Sequence, residues 1–544
     1  KEENGTEKIW IGSLDADEED WHQVKASDAV KTDFGIEPIF IETELYNDYY
    51  NGFSNSTLWP LFHYFPSLVK YEVEYFEAYK TVNEIFARKI IEVYRRGDII
   101  WVHDYQLMMV PQMIRKTLPD AVIGFFLHIP FPSYELFRIM PSQWKVELLK
   151  GMLGSDLIGF HTHDYVQHFI QSAKMILQVE SSFNTIEYGS CIIKTDLFPI
   201  GIDYQKFRTA VTDEVVVAIC RKLRERFEGQ KIIFSVDRLD YTKGLSHRLK
   251  SFDAFLETHP EWWEKIVFIF NIVPSRDVIS TYAQRRREIE EGVSAINGKY
   301  STLHWQPLIY RYNHLEFDEL CALYQTADVA LITPLRDGMN LVAKEYIASC
   351  LHKGVLILSE LTGAASELNE AILVNPSDSG EVAEAIDTAL NMSLTEQGSR
   401  LSHMQGRLAN YDVVKWVTDF LEVLKTTKED QKKQKINILD NSTIAKIQSE
   451  FLGASKRCIL LDYDGTLAPY EKIPSLALPN AELLQLLTGL CNDAGNEVII
   501  ISGRDADTLD KWLGHLPLSL VAEHGASIKY KDGDWQQQVT VSPE

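Results

Sequence analysis

The sequence lacks the features that mark several classes of protein. Its six cysteines are scattered without a CxxC pair, which argues against both a zinc site and a disulfide scaffold. Its longest apolar runs, such as 329–334 and 498–501, are far shorter than the ~20 residues that a membrane-spanning helix requires, and they read as buried strands. We therefore expect a cytoplasmic protein without a membrane partner.

The chain also has too few basic residues for a nucleic-acid partner. Lysine and arginine together number 54 against 78 aspartates and glutamates, which gives a formal net charge of −24. The overall field therefore repels nucleic acid and anionic membranes. A small phosphorylated substrate is compatible with this charge if cations gather in one cleft, where low-dielectric walls focus their field.

The length and the order of β-rich runs predict the architecture. At 544 residues, the chain favours about three folding units. Short β-rich runs alternate with helix-period sequence, which predicts parallel, doubly wound sheets. A first set of runs lies at 98–103, 122–128, 156–161 and 193–200. A second set lies at 231–236, 265–271, 329–333, 354–359 and 371–374. We expect an α/β fold with two facing Rossmann-like domains.

Turn and charge signals predict the domain boundaries. The turn sequence at 199–203 favours a hinge where the first domain ends. The charged run at 425–435 has no apolar residue to bury, which predicts a solvated linker or a helix end. A third domain opens with the apolar strand that follows Arg457. The predicted domains are residues 1–202, 203–424 and 444–544, with a linker at 425–443.

Polar residues directly after the predicted strands are candidates for one ligand site. Ligands of open α/β sheets bind outside the carboxyl ends of the strands. The candidates are Asp104, His128, Arg238, Lys243, Arg276 and Asp337. Arg238 and Lys243 share a loop with Gly244, and such a pair of cations can neutralise a diphosphate leaving group in place of a metal ion. Surface salt bridges are the alternative interpretation of both residues.

A glycine turn and a helix start follow one strand at 336–345. Backbone N–H groups at a helix N-terminus face an anion or hydroxyl that lies there. Glu345 is expected about two turns into this helix, facing the same cleft. The alternative for Glu345 is an acid on the helix surface, paired with a lysine or an arginine.

Five segments in order resemble one family. They lie at 49–64, 101–107, 125–132, 236–245 and 335–345. In this order they resemble trehalose-6-phosphate synthases, and the resemblance extends from about residue 10 to about residue 424. It implies a retaining glycosyltransferase of the two-Rossmann (GT-B) type that joins glucose from UDP-glucose to glucose 6-phosphate without a metal cofactor. The residues themselves leave open the nucleotide base and whether the protein is a homo-oligomer.

The resemblance also implies roles for single residues. Arg238 and Lys243 match catalytic positions that hold the nucleotide diphosphate, and His128 matches a contact to the donor sugar. Further donor contacts are expected from Asp337, Gly338, Met339, Asn340, Leu341, Val342 and, at the ribose hydroxyls, Glu345. Acceptor contacts are expected from Tyr50, Trp59, Asp104 and Arg276. Without the motif, a Tyr or Trp of this kind is more often core packing.

The role of Asp104 differs between the two lines of reasoning. From the residues alone, Asp104 is the obvious candidate for a nucleophile in a retaining transfer. The resemblance implies instead a front-face transfer, in which the leaving phosphate helps to take the proton from the acceptor hydroxyl. The enzyme then supplies positioning and charge stabilisation, and Asp104 binds substrate.

The N-terminal segment departs from the family pattern. Family members begin with a strand that carries an arginine and with a loop of two successive glycines over the phosphates, and nothing before Trp10 matches either. The chain begins with Lys1 rather than Met. Two interpretations follow: the real protein has residues that this sequence lacks, or this copy has lost transfer activity. A non-catalytic sugar-phosphate sensor is therefore the alternative function. A related glycosyltransferase with another acceptor is a third reading, which the predicted acceptor set disfavours.

The last domain resembles haloacid-dehalogenase phosphatases. Asp462 would attack phosphorus, Asp464 would protonate the leaving alcohol, and both would bind Mg²⁺. Ser502 is the expected phosphate ligand, and a solvated turn is the alternative for the two aspartates. The stretch 523–525 is similar to trehalose-6-phosphate phosphatases, which implies a bifunctional protein. Because the later lysine and acidic motif do not appear before Glu544, we expect an incomplete, inactive domain, with Mg²⁺ only in an intact one.

Overall fold

The structure is a computed structural model and describes residues 8–14, 16–26, 32–189, 191–274, 280–435, 441–469 and 474–538. The chain forms two compact units, residues 1–436 and residues 437–544. The first unit contains two α/β domains, each built on its own sheet, and the second unit contains a third sheet.

The first domain is built on a mixed sheet. Its strands, with a separate parallel pair formed by the first two, are β1 (Ile9–Ser13), β2 (Gly35–Ile39), β3 (Ile99–His103), β4 (Val122–Phe126), β5 (Leu157–Phe160), β6 (Glu180–Ser182), β7 (Thr185–Tyr188) and β8 (Cys191–Leu197). Among the described residues, the sheet has the order β3-β4-β5-β8-β7-β6. Strands β3, β4, β5 and β8 run parallel, and they coincide with the four predicted runs.

Helices cover this sheet and bury their apolar faces. They are α1 (Glu18–Ala26), α2 (Thr43–Tyr46), α3 (Trp59–Phe62), α4 (Val73–Val93), α5 (Val110–Thr117), α6 (Tyr134–Phe137), α7 (Ser142–Met152) and α8 (His163–Leu177). In α4, Phe76, Tyr79, Val82, Phe86 and Ile90 are buried, and their spacing of three and four residues places them on one helix face. A π-helix, Asn47–Leu58, leads directly into α3.

The second domain has the strand order of a Rossmann fold. Its strands are β9 (Lys231–Arg238), β10 (Ile266–Val273), β11 (Leu308–Tyr312), β12 (Val329–Ile332), β13 (Val355–Ser359) and β14 (Ile372–Val374). They are parallel and ordered β11-β10-β9-β12-β13-β14 in the part of the chain that the structure describes. The order reverses between β9 and β12, and ligands of such sheets bind at this switch point.

Helices lie on both faces of the second sheet, so its strands are apolar almost throughout. The helices are α9 (Tyr204–Ala210), α10 (Glu214–Arg226), α11 (Leu245–Thr258), α12 (Ser280–Tyr300), α13 (Phe317–Thr326), α14 (Leu341–Ser349), α15 (Ser379–Asn391) and α16 (Leu394–Asn410).

Short 3₁₀ turns occur in all three domains, at Pro66–Leu68, Tyr105–Leu107, Tyr241–Lys243, Pro260–Trp262, Gly363–Ser366, Pro474–Leu476 and Glu523–Gly525. No helix within the described ranges is long and apolar enough to cross a membrane.

The chain crosses between the two domains at two adjacent places. The first crossing follows β8, and the second lies between α16 and the next helix. They are bonded to each other, since the Val413 amide donates to the Ile202 carbonyl at 3.0 Å. Gly201 has no space for a side chain, because a Cβ there would lie 2.5 Å from the carbonyl carbon of Asp412. Ile200 is held from both sides: its amide donates to His161 of the first domain, and Lys344 of the second domain donates to its carbonyl at 2.7 Å.

Helix α17 (Val413–Lys435) returns to the first sheet, which differs from the predicted boundaries. Residues 413–424 were assigned to the second domain, and 425–435 to a solvated linker or helix end. Instead, Phe420 stacks on Trp101 with ring centroids 4.5 Å apart. Lys428 is buried and donates to Asp156 at 2.9 Å. The physical reason is that aromatic packing and a buried carboxylate of the first domain hold the charged end of the helix.

The second unit has a smaller sheet. Its elements are α18 (Asn441–Gly453), β15 (Arg457–Asp462), α19 (Ala481–Asn492), β16 (Asn496–Ile501), α20 (Ala506–Leu513), β17 (Ser519–Ala522), β18 (Ser527–Lys529) and β19 (Trp535–Gln537). The order is β15-β16-β17-β18-β19 across the described strands, with the first three parallel and the last two antiparallel. The predicted runs at 458–461 and 498–501 coincide with β15 and β16.

The packing of α17 leads to a stability prediction. Phe420→Ala removes a fully buried ring, so we expect a loss of about 3–5 kcal/mol in the unfolding free energy of the first unit. Val414→Ala in the same helix is the control, because Val414 is 66% exposed and its loss should change stability by under ~0.5 kcal/mol. Denaturant unfolding followed by tryptophan fluorescence measures both, and equal effects would contradict the packing of α17 on the first sheet.

Candidate functional site

Two loops meet where β9 and β12 end. Lys243, in the loop after β9, is 9% exposed, and its ammonium lies 2.5 Å from Oδ2 of Asp337, in the loop after β12. The Asn340 side-chain amide donates to the same carboxylate oxygen at 3.0 Å. The structure therefore brings together three of the predicted donor residues by direct bonds.

The Lys243–Asp337 pair is ionised despite its burial. Burial alone would lower the pKa of Lys243, but the nearby carboxylates of Asp337 and Asp237 outweigh it and raise that pKa above its usual value. Burial would likewise raise the pKa of Asp337, and the Lys243 charge overcomes this and lowers it. Lys243 and Asp337 are thus both charged at neutral pH, and each fixes the other at the switch point.

Helix α14 begins at the cleft. Asn340 has a φ of 85°, and its side-chain oxygen caps the helix by accepting from the Ala343 amide at 3.0 Å. Gly338 lies against the first domain so closely that a Cβ would be 2.3 Å from the His128 carbonyl oxygen. The backbone before α14 therefore forms one side of the cleft directly, and His128 forms the other.

The other predicted donor residues lie in and beside α14. Met339 is buried, Val342 is half-buried and Leu341 is exposed. Glu345 is the fifth residue of the helix, just over one turn in, and it accepts from the Tyr324 hydroxyl at 2.9 Å. Burial raises the pKa of Glu345. Its partner is thus a tyrosine, where the alternative interpretation required a lysine or arginine.

The first domain contributes Asp104 and two histidines. Asp104 has a φ of 71°, an uncommon conformation for a residue other than glycine. Its Oδ1 accepts from the His128 amide at 3.1 Å, which fixes the carboxylate. The His103 and His128 rings share a hydrogen bond of 3.0 Å between Nδ1 and Nε2. Burial lowers the pKa of His103 to about 3 and that of His128 to about 4, so both rings are neutral at physiological pH.

Arg238 is exposed at the end of β9 and acts on Asp104 across the cleft. Burial raises the pKa of Asp104 to about 6, while backbone N–H donors and the positive charge of Arg238 oppose this increase. Asp104 is therefore ionised at pH 7 and becomes neutral in mildly acidic solution.

Aromatic residues of the π-helix and α3 lie near the same cleft. Tyr50 is half-buried and stacks on Tyr46 with centroids 5.3 Å apart. Trp59 is 6% exposed, and its indole N–H donates to Asp240 of the second domain at 3.4 Å. Arg276, the remaining predicted acceptor residue, lies outside the described residues. The wide turns of the π-helix form where Gly52 packs on Tyr75, whose ring leaves no space for a Cβ.

The second unit places its predicted residues at the ends of β15 and β16. Asp462 is exposed, and both carboxylate oxygens of Asp464 accept from the Arg504 guanidinium, at 2.5 and 2.9 Å. Ser502 is buried, and its hydroxyl accepts from the Arg504 amide at 3.2 Å. Arg504 thus binds Asp464, one of the two aspartates predicted to bind Mg²⁺, and in the described part of this unit Asp462 and Asp464 are not joined by a third metal-ligating side chain.

Comparison with known proteins decides the family. The model of glycosyltransferase family 20 matches residues 1–426. The chain belongs to this family. A trehalose-phosphatase model matches residues 460–543. The resemblance inferred from the five sequence segments is thereby confirmed, whereas the roles of the single residues stay predictions.

Relatives of this family-20 chain include a bifunctional trehalose-6-phosphate synthase/phosphatase of Thermoproteus tenax. It is 45% identical over 515 residues, which are 94% of this chain and 70% of that protein. An E. coli structure bound with UDP-2-fluoro glucose is 33% identical, covers 77% of this chain and 99% of its own, and has a TM-score of 0.71. A UDP-forming alpha,alpha-trehalose-phosphate synthase from Burkholderia xenovorans in complex with glucose-6-phosphate is also 33% identical, with coverages of 77% and 93% and a TM-score of 0.71.

The comparisons confirm the predicted fold class. The first unit has the two Rossmann-like domains of the GT-B type, and the second has the α/β fold of a phosphatase domain related to haloacid dehalogenases. The Rossmann strand order of the second domain agrees with this assignment.

Sequence reasoning missed several residues of the site. Arg248 donates hydrogen bonds to the loops that carry the cations, and Arg336 stacks over the Tyr64 ring at 3.9 Å. Asp240 and His103 hold predicted residues in place. The sequence could have indicated Arg336, because this residue directly precedes Asp337, a predicted donor residue. The bond from Arg248 to Thr333 and the bonds of Asp240 and His103 join segments that are 25 or more residues apart, so no local pattern indicates them.

The raised pKa of Asp104 predicts a pH dependence of stability. The folded chain binds this proton more tightly than the unfolded chain, so stability falls as the pH rises from about 4 to about 6. Asp104→Asn removes this titration and keeps the oxygen that accepts from His128. Across this range, we expect the unfolding free energy of the parent to fall by on the order of 2 kcal/mol relative to that of the variant.

Thermal unfolding of the parent and of Asp104→Asn between pH 4 and pH 8 measures this difference. Asp318→Asn removes an exposed carboxyl of α13 and is the control for the loss of a surface charge. A difference between Asp104→Asn and the parent that does not change with pH would show that Asp104 titrates as an ordinary carboxyl.

Proposed function

We propose that the chain transfers glucose from UDP-glucose to glucose 6-phosphate with retention at the anomeric carbon, releasing UDP and forming trehalose 6-phosphate. The observation that carries this proposal is the pair of cations at the switch point: Arg238 is the last residue of β9, and Lys243 lies in the loop that follows. A nucleoside diphosphate leaving group gains negative charge as its bond to the sugar breaks. Positioned cations in a largely buried crevice stabilise that charge without reorganising.

The local charges suit a diphosphate. Asp337 pairs with Lys243, whereas Arg238 is exposed at the end of β9, so we expect Arg238 and the N-terminal end of α14 to meet the phosphates first. The diphosphate then shares Lys243 with Asp337. The donor ligand of the E. coli structure, UDP-2-fluoro glucose, supports UDP as the nucleotide.

The first domain is proposed to hold the sugars. Asp104 is fixed by the His128 amide and is ionised at neutral pH, so it accepts hydrogen bonds from sugar hydroxyls. The bond between the anomeric carbon and the UDP oxygen breaks, and the acceptor oxygen bonds to that carbon on the same face. The acceptor proton passes to the departing phosphate, so Asp104 remains a binder and forms no covalent bond.

Tyr50, Trp59 and Arg276 are proposed to bind the acceptor. Tyr50 is half-buried, and Trp59 is fixed by Asp240 of the facing domain, so an acceptor would meet an immobile indole. The ligand of the Burkholderia structure, glucose-6-phosphate, supports a phosphorylated hexose at this site. We also propose that Glu345 binds the ribose hydroxyls and that the protein acts in the cytoplasm.

In the second unit we infer a phosphatase-like domain, with Asp462 as the nucleophile, Asp464 as the acid/base and Ser502 as a phosphate ligand. The match to the trehalose-phosphatase model and the positions of these residues at strand ends support it. Where the parent releases phosphate from trehalose 6-phosphate, Asp462→Asn should release none, and equal, measurable release by both would exclude Asp462 as the nucleophile. No release by the parent would agree with the inactive domain that the sequence leads us to expect.

Release of UDP from UDP-glucose tests the synthase proposal. We expect release that requires glucose 6-phosphate and continues in the presence of a metal chelator, because protein cations take the leaving charge. Binding of glucose 6-phosphate without UDP release would favour a sugar-phosphate sensor. Release with another sugar acceptor and none with glucose 6-phosphate would identify a different glycosyltransferase.

Arg238→Ala should lower the turnover number about 100- to 1,000-fold, because the departing diphosphate loses a fixed counter-charge. Arg238 is exposed, so the fold should tolerate its loss, and circular dichroism checks this. Arg221→Ala on exposed α10 removes the same charge away from the cleft and should leave turnover within about two-fold, as expected of a distant surface charge. Equal turnover in the two variants would contradict the proposed role of Arg238.

A further inference from the structure

Strands β9 and β12 separate just below the candidate active site. They pair at only two positions, Val329 with Ile233 and Ala330 with Phe234, although β9 continues to Arg238. Beyond these pairs, the two strands lead into the loops that carry Lys243 and Asp337. Among the described residues, the strand ends beyond these two pairs are not joined by ladder hydrogen bonds, and the two loops above them are linked through the Thr242 carbonyl, which accepts from the Leu335 and Arg336 amides.

The side chain of Arg248 fills the space between the strand ends. Arg248 lies in the first turn of α11, directly after the loop of Lys243, and is only 1% exposed. On the β9 side, its guanidinium donates to Asp237 at 2.8 Å and to the Ser235 hydroxyl. On the β12 side, its Nε donates to the Thr333 hydroxyl at 3.1 Å.

Arg248 also holds the backbone of the residue that carries the site's buried cation. Its Nη2 donates to the Lys243 carbonyl at 3.2 Å. The two loops contact each other above it, since the Leu335 amide donates to the Thr242 carbonyl at 2.7 Å. Gly244, with a φ of 65°, approaches the Thr333 carbonyl so closely that a Cβ would lie 2.8 Å from it. The guanidinium is thus bonded to both strand ends and to the loop between them.

The chemistry of this position favours a positioning role over a purely stabilising one. Burying an ion pair such as Arg248–Asp237 costs desolvation that its Coulomb attraction offsets only with good geometry, and apolar residues of similar size often stabilise as well or better. The rigid, planar guanidinium fork provides what apolar residues cannot, which is fixed directions to several acceptors at once.

We propose that Arg248 is a positioning residue for glycosyl transfer, which sets the location of the Lys243 ammonium relative to Asp337 and the donor diphosphate. This inference rests on the proposed synthase function. A lysine at position 248 would keep the charge but lose the fork, so the strand ends would no longer be held at a fixed separation. A displacement of about 1 Å at a reacting centre can lower the rate about 100-fold.

The main test compares Arg248→Lys with Arg224→Lys. Arg224 is the matched control, because it contacts Asp328 and the Thr326 carbonyl at the amino end of β12, away from the cleft. We expect Arg248→Lys to lower the turnover number roughly 10- to 100-fold, with the KM for glucose 6-phosphate changed less than about three-fold. Arg224→Lys should leave turnover within about two-fold, and the melting temperature of each variant shows how much of any loss comes from stability.

A second variant covers the case in which Arg248→Lys does not fold. Thr333→Val removes one acceptor of the fork and preserves the side-chain shape and the Arg248–Asp237 pair. We expect a turnover loss of about three- to ten-fold, the effect of about one hydrogen bond. Equal turnover losses in the site variants and in Arg224→Lys, or no loss in Thr333→Val, would overturn the inference.

Binding of UDP, measured by calorimetry, separates this inference from the synthase proposal. If the parent releases no UDP from UDP-glucose, the synthase proposal fails. The affinity for UDP then becomes the measurement that reports whether Lys243 is correctly positioned. In that case, weaker UDP binding in Thr333→Val but not in Arg224→Lys would still support Arg248 as the residue that positions Lys243. Equal UDP affinity in both variants would refute it.

Discussion

The candidate donor site depends on keeping two charged loops at a fixed separation where the strands beneath them part. Strands β9 and β12 share two paired positions, and Asp237, Lys243 and Arg248 above them are buried, whereas Arg238 is exposed. Each buried cation has its own carboxylate: Arg248 pairs with Asp237, and Lys243 pairs with Asp337. Because an unpaired charge in such a place would be strongly destabilising, each pair fixes the position of the loop that carries it.

The two domains contribute different electrostatic groups to the cleft. The second domain supplies fixed charges at the switch point. The first supplies neutral groups, since burial lowers the pKa values of His103 and His128 well below physiological pH. Asp104 is the exception, and Arg238 faces it from the other side. A sugar on the first domain would therefore meet hydrogen-bonding groups, while a phosphate on the second would meet positive charge.

The sequence predicted those features whose determinants are local. Strands β9 and β12 are short apolar runs that end in charged or glycine-containing loops, and Arg238 and Lys243 stand in one such loop. Strand β11 was missed, because four of its five residues are only half-buried and it lies at the sheet edge. The π-helix was missed as well; Gly52 within it packs against the Tyr75 ring, 23 residues later, and no local pattern indicates that contact.

Contacts between distant segments explain the remaining differences. Arg248 and Thr333 are 85 residues apart, and Trp59 and Asp240 are 181 apart, so no spacing rule connects them. From its sequence, the charged end of α17 is expected to be solvated. Its buried partner, Asp156, lies 272 residues before Lys428 in the chain. In each case, a hydrogen-bond partner from a distant segment fixes the side chain, and the local sequence pattern does not indicate that partner.

The paired crossings between the domains have a mechanical consequence. Two chain segments lie side by side there, bonded between Val413 and Ile202. Because Gly201 has no side chain, the two crossings are in direct backbone contact. The domains are thus joined by a double connection, so a change in their relative orientation would have to distort two bonded segments together.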